Sequence, residues 1–237
     1  MAQIVVNKAG VEHRFCYSSG SENSWINNWL ATNFESWENE TFSDFQKITD
    51  TEDKIALDIG AWVGTTAIWL SKHYHTVYAV EADPISITQL KTNLLASNCF
   101  NARVLEQAIS DKEETVYFGP NRDGTQCFNT SMSQIKKERT CEVDIEGQTI
   151  TFNKILELCD RPIGLIKIDI EGGEENLVEP ILKYAQENRT CVHLSFHINW
   201  WQNQDINRFA EIFGDRTNEL ISLLKIQPFA AVFFDYR

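Results

Sequence analysis

A strand-end carboxylate followed by a glycine-bearing turn is the first chemical signal in this chain. Leu57-Asp58-Ile59-Gly60-Ala61-Trp62-Val63-Gly64-Thr65-Thr66 reads as a strand that ends on an acid and turns into a helix. Such a junction offers a ligand both negative charge and helix N-terminal N–H groups. A dinucleotide site needs Gly-x-Gly-x-x-Gly so that backbone can approach a pyrophosphate. Counted from Gly60, the later glycine places hold Trp62 and Thr65, which makes NAD and FAD poor candidates. S-adenosylmethionine has no phosphate. Its methionine end carries an ammonium and a carboxylate, and Asp58 with the turn Gly60, Ala61, Gly64 and Thr65 offers a partner to each. Glu81 closes the next strand seventeen positions after Gly64, near the offset of about 20 residues at which an acid reaches ribose hydroxyls. Asp83, just before Pro84, reads instead as a helix N-cap. Gln107 sits at the end of the third strand, where it can meet an adenine edge or simply be a solvated loop residue.

A second group of residues suits the acceptor side of a transfer reaction. In Ile166-Lys167-Ile168-Asp169-Ile170-Glu171-Gly172-Gly173-Glu174, the residues Lys167, Asp169 and Glu171 alternate onto one face. A lysine in a buried parallel strand is costly unless paired, so Lys167 reads as half of a structural ion pair. Asp169 and Glu171, at the strand's carboxyl end, are catalytic candidates. Cys191-Val192-His193-Leu194-Ser195-Phe196-His197 places His193, Ser195 and His197 on one face; His193 reads as structural and His197 as the site residue. A sulfonium is already activated, so transfer to an alcohol needs positioning and a base. His197 with Asp169 or Glu171 supplies that base. The same groups can hold a divalent ion, but no tight ligand spacing demands one, and no metal ligand is assigned. Trp200 and Trp201 either stack on a sugar ring or pack in the core.

From Asp53 onward, short β-branched runs alternate with amphipathic helical patterns, the signature of an α/β, doubly wound, mostly parallel sheet. Strands are expected at 54–59, 76–81, 103–107, 114–118, 141–145, 165–169, 191–196, 220–225 and 230–235. Helices are expected from Thr65 to Lys72, after Asp83, and after Thr151, Glu174 and Asn203. A polar stretch from Asn121 to Lys137 reads as a long loop over one end of the sheet. Residues 1–50 form an N-terminal appendage: a hairpin over Gln3 to Tyr17 turning at Lys8-Ala9-Gly10, then aromatics at helical spacing. Residues 51–237 form the main domain. The formal net charge of -13 repels phosphate backbones and disfavours a nucleic-acid partner. Neither a signal peptide nor a membrane span is legible, so the expectation is a cytoplasmic protein without a membrane partner. The six cysteines show no Cys-x-x-Cys spacing and read as free thiols. Oligomeric state is not legible.

Together these segments resemble the FkbM-type methyltransferases. The resemblance rests on Trp37-Glu38 with Thr41, Asp58-Ile59-Gly60-Ala61, Val80-Glu81-Ala82-Asp83-Pro84, the Lys167 to Glu174 stretch and Leu194-Ser195-Phe196-His197. It implies a Rossmann-like class I methyltransferase with an antiparallel last strand and S-adenosylmethionine as cofactor. It further implies that Glu81 holds ribose, that Asp169 and Glu171 face the reacting centre, and that Glu38 and Thr41 close over the cofactor. The expected reaction is methyl transfer to a hydroxyl of a sugar, glycan or small natural product. Methylation of protein or RNA, and a non-catalytic nucleoside-binding module, are the competing readings.

Overall fold

The computed structural model describes residues 2–17, 24–119, 134–136, 138–140 and 144–237. Most of the stretch expected to be a loop, together with Cys127 and Cys141, lies outside the described residues. The chain opens with a hairpin of β1 (Ala2–Lys8) and β2 (Val11–Tyr17), joined at Ala9 and Gly10, both left-handed. Two helices follow, α1 (Trp25–Thr32) and α2 (Asn39–Gln46). The core elements are then β3 (Ile55–Ile59), α3 (Thr65–Ser71), β4 (Thr76–Val80), α4 (Pro84–Ala96) and β5 (Ala102–Leu105). A side region comprises β6 (Ala108–Ser110), β7 (Thr115–Gly119), β8 (Gln134–Lys136) and β9 (Ile145–Thr151). The chain returns through α5 (Phe152–Leu158), β10 (Ile163–Ile168), α6 (Val178–Asn188), β11 (Cys191–His197), α7 (Ala210–Phe213), α8 (Thr217–Ile226) and β12 (Phe229–Phe234).

The central sheet has the order β12-β11-β10-β3-β4-β5. All neighbours run parallel except β12, which is antiparallel to β11. Every residue of β3, β4 and β10 is buried, as expected for parallel strands covered on both faces. One apolar cluster packs α5, α6 and α8 on one face; the other joins α3 and α4 to the N-terminal aromatics Phe15, Phe34, Phe42 and Phe45. Strand order reverses between β3 and β10, and a ligand crevice forms outside the carboxyl ends at such a point. This is a Rossmann-like sheet.

The segment 220–225, expected as a strand, is part of helix α8. Its buried residues Leu220 and Leu224 lie one helical turn apart, and its Leu, Glu and Lys are good helix formers. A short apolar run does not separate the two periods by itself. The strand expected at 141–145 meets β9 only at Ile145, with 141–143 outside the described residues. β9 runs on to Thr151 in a four-stranded side sheet of order β6-β9-β7-β8.

The hairpin is tied to α4 by polar bonds. Arg14 N–H donates to Ser97 Oγ at 3.0 Å and Cys16 N–H to Asn93 Oδ1 at 2.8 Å. Lys8, 1% exposed, turns its ammonium inward beside the Phe42 ring. It donates to the carbonyls of Glu35 and Trp37 and to Asn39 Oδ1, gripping the turn ahead of α2. In that turn Glu38 sits at φ 46°, a left-handed conformation that a non-glycine residue holds only when its surroundings impose it.

Candidate active site

A cavity of about 500 Å³ opens outside the carboxyl ends of β3, β4, β10 and β11, within the range of small-molecule sites. Its floor is the turn after β3. Gly60 has φ +79°, and a Cβ built there would stand 1.9 Å from the Asp169 carbonyl oxygen. Only glycine lets the ends of β3 and β10 close up in this way.

The turn works differently from the expectation. Gly60 and Ala61 both donate their N–H to the Val80 carbonyl, Trp62 donates to Glu81 Oε2, and Gly64 to the Ala61 carbonyl. Those amides already have protein partners, so the turn serves by shape rather than by free donors. Ala61 and Gly64 do not line the cavity, whereas Gly60 and Thr65 do. Asp58 is also turned away from it: the side chain is fully buried, Thr66 Oγ1 donates to its Oδ2 at 2.7 Å, and Lys167 Nζ lies 3.3 Å from its Oδ1. The paired lysine read from the sequence is thus present, and pairing withdraws Asp58 from ligands. Lys167 Nζ also donates to the Gly60 carbonyl at 2.7 Å. Burial opposes its charge, but Asp58, Asp169 and Glu38 outweigh burial and hold its pKa above the usual lysine value.

Glu81 lines the cavity at the end of β4. Its Oε1 accepts from the N–H groups of Ala82 and Asp83, and its Oε2 from Trp62, each at 2.8 Å. A carboxylate has about four acceptor positions, so one is left for a ligand. Burial pushes the Glu81 pKa up, against the pull of the three amides. Asp83 caps α4, accepting from Ile85 and Ser86 N–H. Sequence reasoning missed Ser86, which lines the cavity with a buried hydroxyl that has no hydrogen-bond partner among the described residues. Gln107 lines the wall with Ala108 and Ile109.

Opposite stand Glu38 and four tryptophans. Trp25 stacks on Trp62 with centroids 6.5 Å apart, and Trp29 meets Trp62 and Trp37 edge to face. All four line the cavity. Thr41 does not; it is buried, and its hydroxyl hydrogen-bonds the Glu38 carboxyl. Burial, reinforced by Asp169, pushes the Glu38 pKa up to about 7.

At the far end Asp169, Glu171 and His197 come together. His197 Nε2 lies 3.6 Å from Asp169 Oδ1 and 3.5 Å from Glu171 Oε2. His197 Nδ1 faces Glu174 Oε1 at 3.1 Å, and the same oxygen accepts from the His197 backbone N–H and from Trp201 Nε1. Glu174 is wholly buried and was given no role of its own in the sequence reading; its partners His197 and Trp201 lie more than twenty positions along the chain. Burial works against charge on His197, but the Glu174 hydrogen bond and the surrounding carboxylates raise its pKa. Burial, with Asp169 and Glu174 adding and His197 opposing, pushes Glu171 up to about 7. Trp201 is buried against Glu174, while Trp200 stacks on His197 at 5.4 Å and 8° and abuts Phe229. His193 is buried edge-on to Phe45 and serves packing; burial lowers its pKa to about 4.

The family model for the methyltransferase FkbM domain matches residues 58–226. Among solved structures, a methyltransferase FkbM from Methylobacillus flagellatus KT is 13% identical with a TM-score of 0.43. The match covers 86% of this chain and 47% of that one, so this chain spans about half of that relative's length. A precorrin-6y C5,15-methyltransferase from Geobacter metallireducens GS-15 is 14% identical over 72% of this chain and 66% of that one, with a TM-score of 0.38. An rRNA methylase from Streptococcus thermophilus is 9% identical over 80% and 78%, with a TM-score of 0.43. A search of curated protein sequences gives no match. No helix among the described residues is long and apolar enough to cross a membrane. With the Asp58 turn, the Glu81 strand end and the Lys167 to Glu174 stretch all inside the matched region, the chain belongs to the FkbM family of S-adenosylmethionine-dependent methyltransferases.

Proposed function

We propose that the protein transfers a methyl group from S-adenosylmethionine to a hydroxyl of a sugar, glycan or small natural-product acceptor. The observation that carries this reading is the Asp169, Glu171 and His197 group, placed in the same cavity as Glu81. Proton-accepting groups at one end and a ribose-type acid at the other are what alcohol methylation needs. The residues fit the cofactor on two counts: the open acceptor position of Glu81 and the orphaned Ser86 hydroxyl both belong to the cavity wall. Glu81 and Ser86 would hold ribose hydroxyls, Gln107 the adenine side, and Thr65 and Glu38 the methionine end. The bound cofactor supplies an electrophilic methyl on a positive sulfur.

The chain's own groups do the rest. The tryptophans and Glu38 cover the cavity, and the Asp169 group takes the proton as the hydroxyl oxygen forms its new bond to carbon. Acceptors without phosphate suit a chain of net charge -13. The test is labelled-methyl transfer across a panel of glycans, hydroxylated natural products and RNA fragments. Transfer to an alcohol acceptor, falling at least 100-fold in Asp169→Asn, is the expected result. Transfer to RNA alone, or full activity in Asp169→Asn, overturns the reading.

A further inference from the structure

We propose that Asp169, Glu171 and His197 form a binding site for a divalent cation of the Mn²⁺ or Mg²⁺ class, at which the acceptor hydroxyl is polarised. The role of the ion rests on the methyl-transfer reading above; the site itself rests on geometry. One ligand atom from each residue lies within 4.8 Å of the other two. The His197 Nε2 separations of 3.6 Å and 3.5 Å are too long for hydrogen bonds. They match the spacing of two atoms bound to one ion: ligands about 2.1 Å from a metal, at angles of roughly 90–110°, stand about 3.0–3.5 Å apart.

The orientation of His197 is an independent observation. Glu174 takes hydrogen bonds from Gly172 N–H, His197 N–H, His197 Nδ1 and Trp201 Nε1, and none of its surface is exposed. Glu174 Oε1 faces Nδ1 and fixes the ring so that Nε2 points at the Asp169 and Glu171 carboxylates. Nε2 and one oxygen of each carboxylate thus converge on one place. Lys167 does not fill that place, because its ammonium is bonded to the Gly60 carbonyl and paired with Asp58. A buried carboxylate fixing the far nitrogen of an imidazole is also the usual support for a metal-binding histidine.

Two carboxylate oxygens and one imidazole nitrogen, with no sulfur, favour a hard ion over a thiophilic one. All three residues line the cavity, so the remaining coordination positions face the acceptor. An ion there lowers the pKa of a hydroxyl that reaches it. The hydroxyl proton then passes to the Glu171 oxygen that does not face the ion. The new oxygen–carbon bond forms as the carbon–sulfur bond breaks, and that electron pair stays on sulfur. His197 thereby acts as a ligand, and no imidazole base is required.

The test uses the full chain, stripped with chelator and titrated with Mn²⁺ by electron paramagnetic resonance without cofactor. One Mn²⁺ per chain is expected, with spin-echo modulation from an imidazole nitrogen. Affinity should fall at least tenfold in His197→Gln and Glu171→Gln, and also in Glu174→Gln, which keeps the side chain's size but alters the support of the imidazole. Circular dichroism confirms that each variant is folded, and Asp169→Asn replaces any that is not. Absence of stoichiometric Mn²⁺ binding, or binding unchanged in these variants, overturns the site. Calorimetry with S-adenosylmethionine on the stripped protein separates the two claims: cofactor binding without Mn²⁺ binding defeats the ion site alone, whereas Mn²⁺ binding without cofactor binding defeats the methyl-transfer reading alone.

Discussion

Gly60→Ala tests whether the ends of β3 and β10 meet as closely as described. The added Cβ would lie 1.9 Å from the Asp169 carbonyl oxygen and 2.9 Å from its carbon, both backbone atoms that no rotamer change can move. The substitution carries three penalties. A non-glycine residue at φ +79° costs about 1 kcal/mol. Forcing a methyl into packed backbone costs roughly 1–3 kcal/mol. Separating the strand ends also strains the adjoining bond from Asp169 N–H to the Ile59 carbonyl, 3.0 Å long, which is worth about 1 kcal/mol. The total is about 3–5 kcal/mol, which for a chain of this length lowers Tm by roughly 6–20 °C. Gly10→Ala is the matched control, because Gly10 has φ +84° but nothing within 4 Å of its built Cβ. It should lose only the backbone term of about 1 kcal/mol. Thermal unfolding followed by circular dichroism reads both variants. If Gly60→Ala is no less stable than Gly10→Ala, the close approach that positions Asp169 is not real.

Ser86→Ala removes a hydroxyl with no partner among the described residues, so the melting temperature should hold or rise slightly while S-adenosylmethionine affinity in calorimetry falls about 3–10-fold; a loss of stability with unchanged affinity contradicts the assignment. Lys8→Met strips the bonds to the Glu35 and Trp37 carbonyls and to Asn39. It should cost about 1–3 kcal/mol in denaturant unfolding and weaken cofactor binding through Glu38; unchanged stability would show that the turn holds itself. His193 links stability to pH. Its folded pKa of about 4 lies below the ordinary 6.5, so the unfolded chain binds more protons between those values. Stability from this group is therefore complete above about pH 6.5 and is lost as pH falls towards 4, with a limiting slope of about 1.4 kcal/mol per pH unit. Asp44, Lys167 and Asp169 are the charges that act on it. His193→Leu should flatten urea-unfolding stability across that window, and an unchanged slope would assign the dependence to other groups.

The sequence showed most clearly what local patterns encode. β3, β4 and β10 are buried, largely apolar runs, broken by charge only at Asp58 and Lys167, that lead into Gly60, Glu81 and Asp169, and their parallel direction follows from the helices between strands. Asp83 before Pro84 announced its cap, and it caps α4. What was not legible depends on partners distant in sequence. The amides of Gly60 and Ala61 are consumed by Val80, and Asp58 is turned aside by Lys167, more than a hundred positions away. Glu174 looked like one more acid after a glycine pair, because its ties to His197 and Trp201 exist only once β11 lies beside β10. The α8 segment failed for a local reason, since Leu220 to Lys225 is too short and too apolar to reveal its period.

The docking of the hairpin on α4 has a consequence for the order in which the protein is made. β2 leaves the ribosome about 80 residues before Asn93 and Ser97, its hydrogen-bond partners, which at bacterial and eukaryotic rates of about 5–20 residues per second is a wait of roughly 4–16 s. Phe15 and Phe34 precede β3 and α3, the elements that cover them, by more than twenty residues, and α4 comes later still. These aromatics are thus exposed on the nascent chain until α3 and α4 emerge, which makes that stage of synthesis one at which aggregation threatens and chaperones matter.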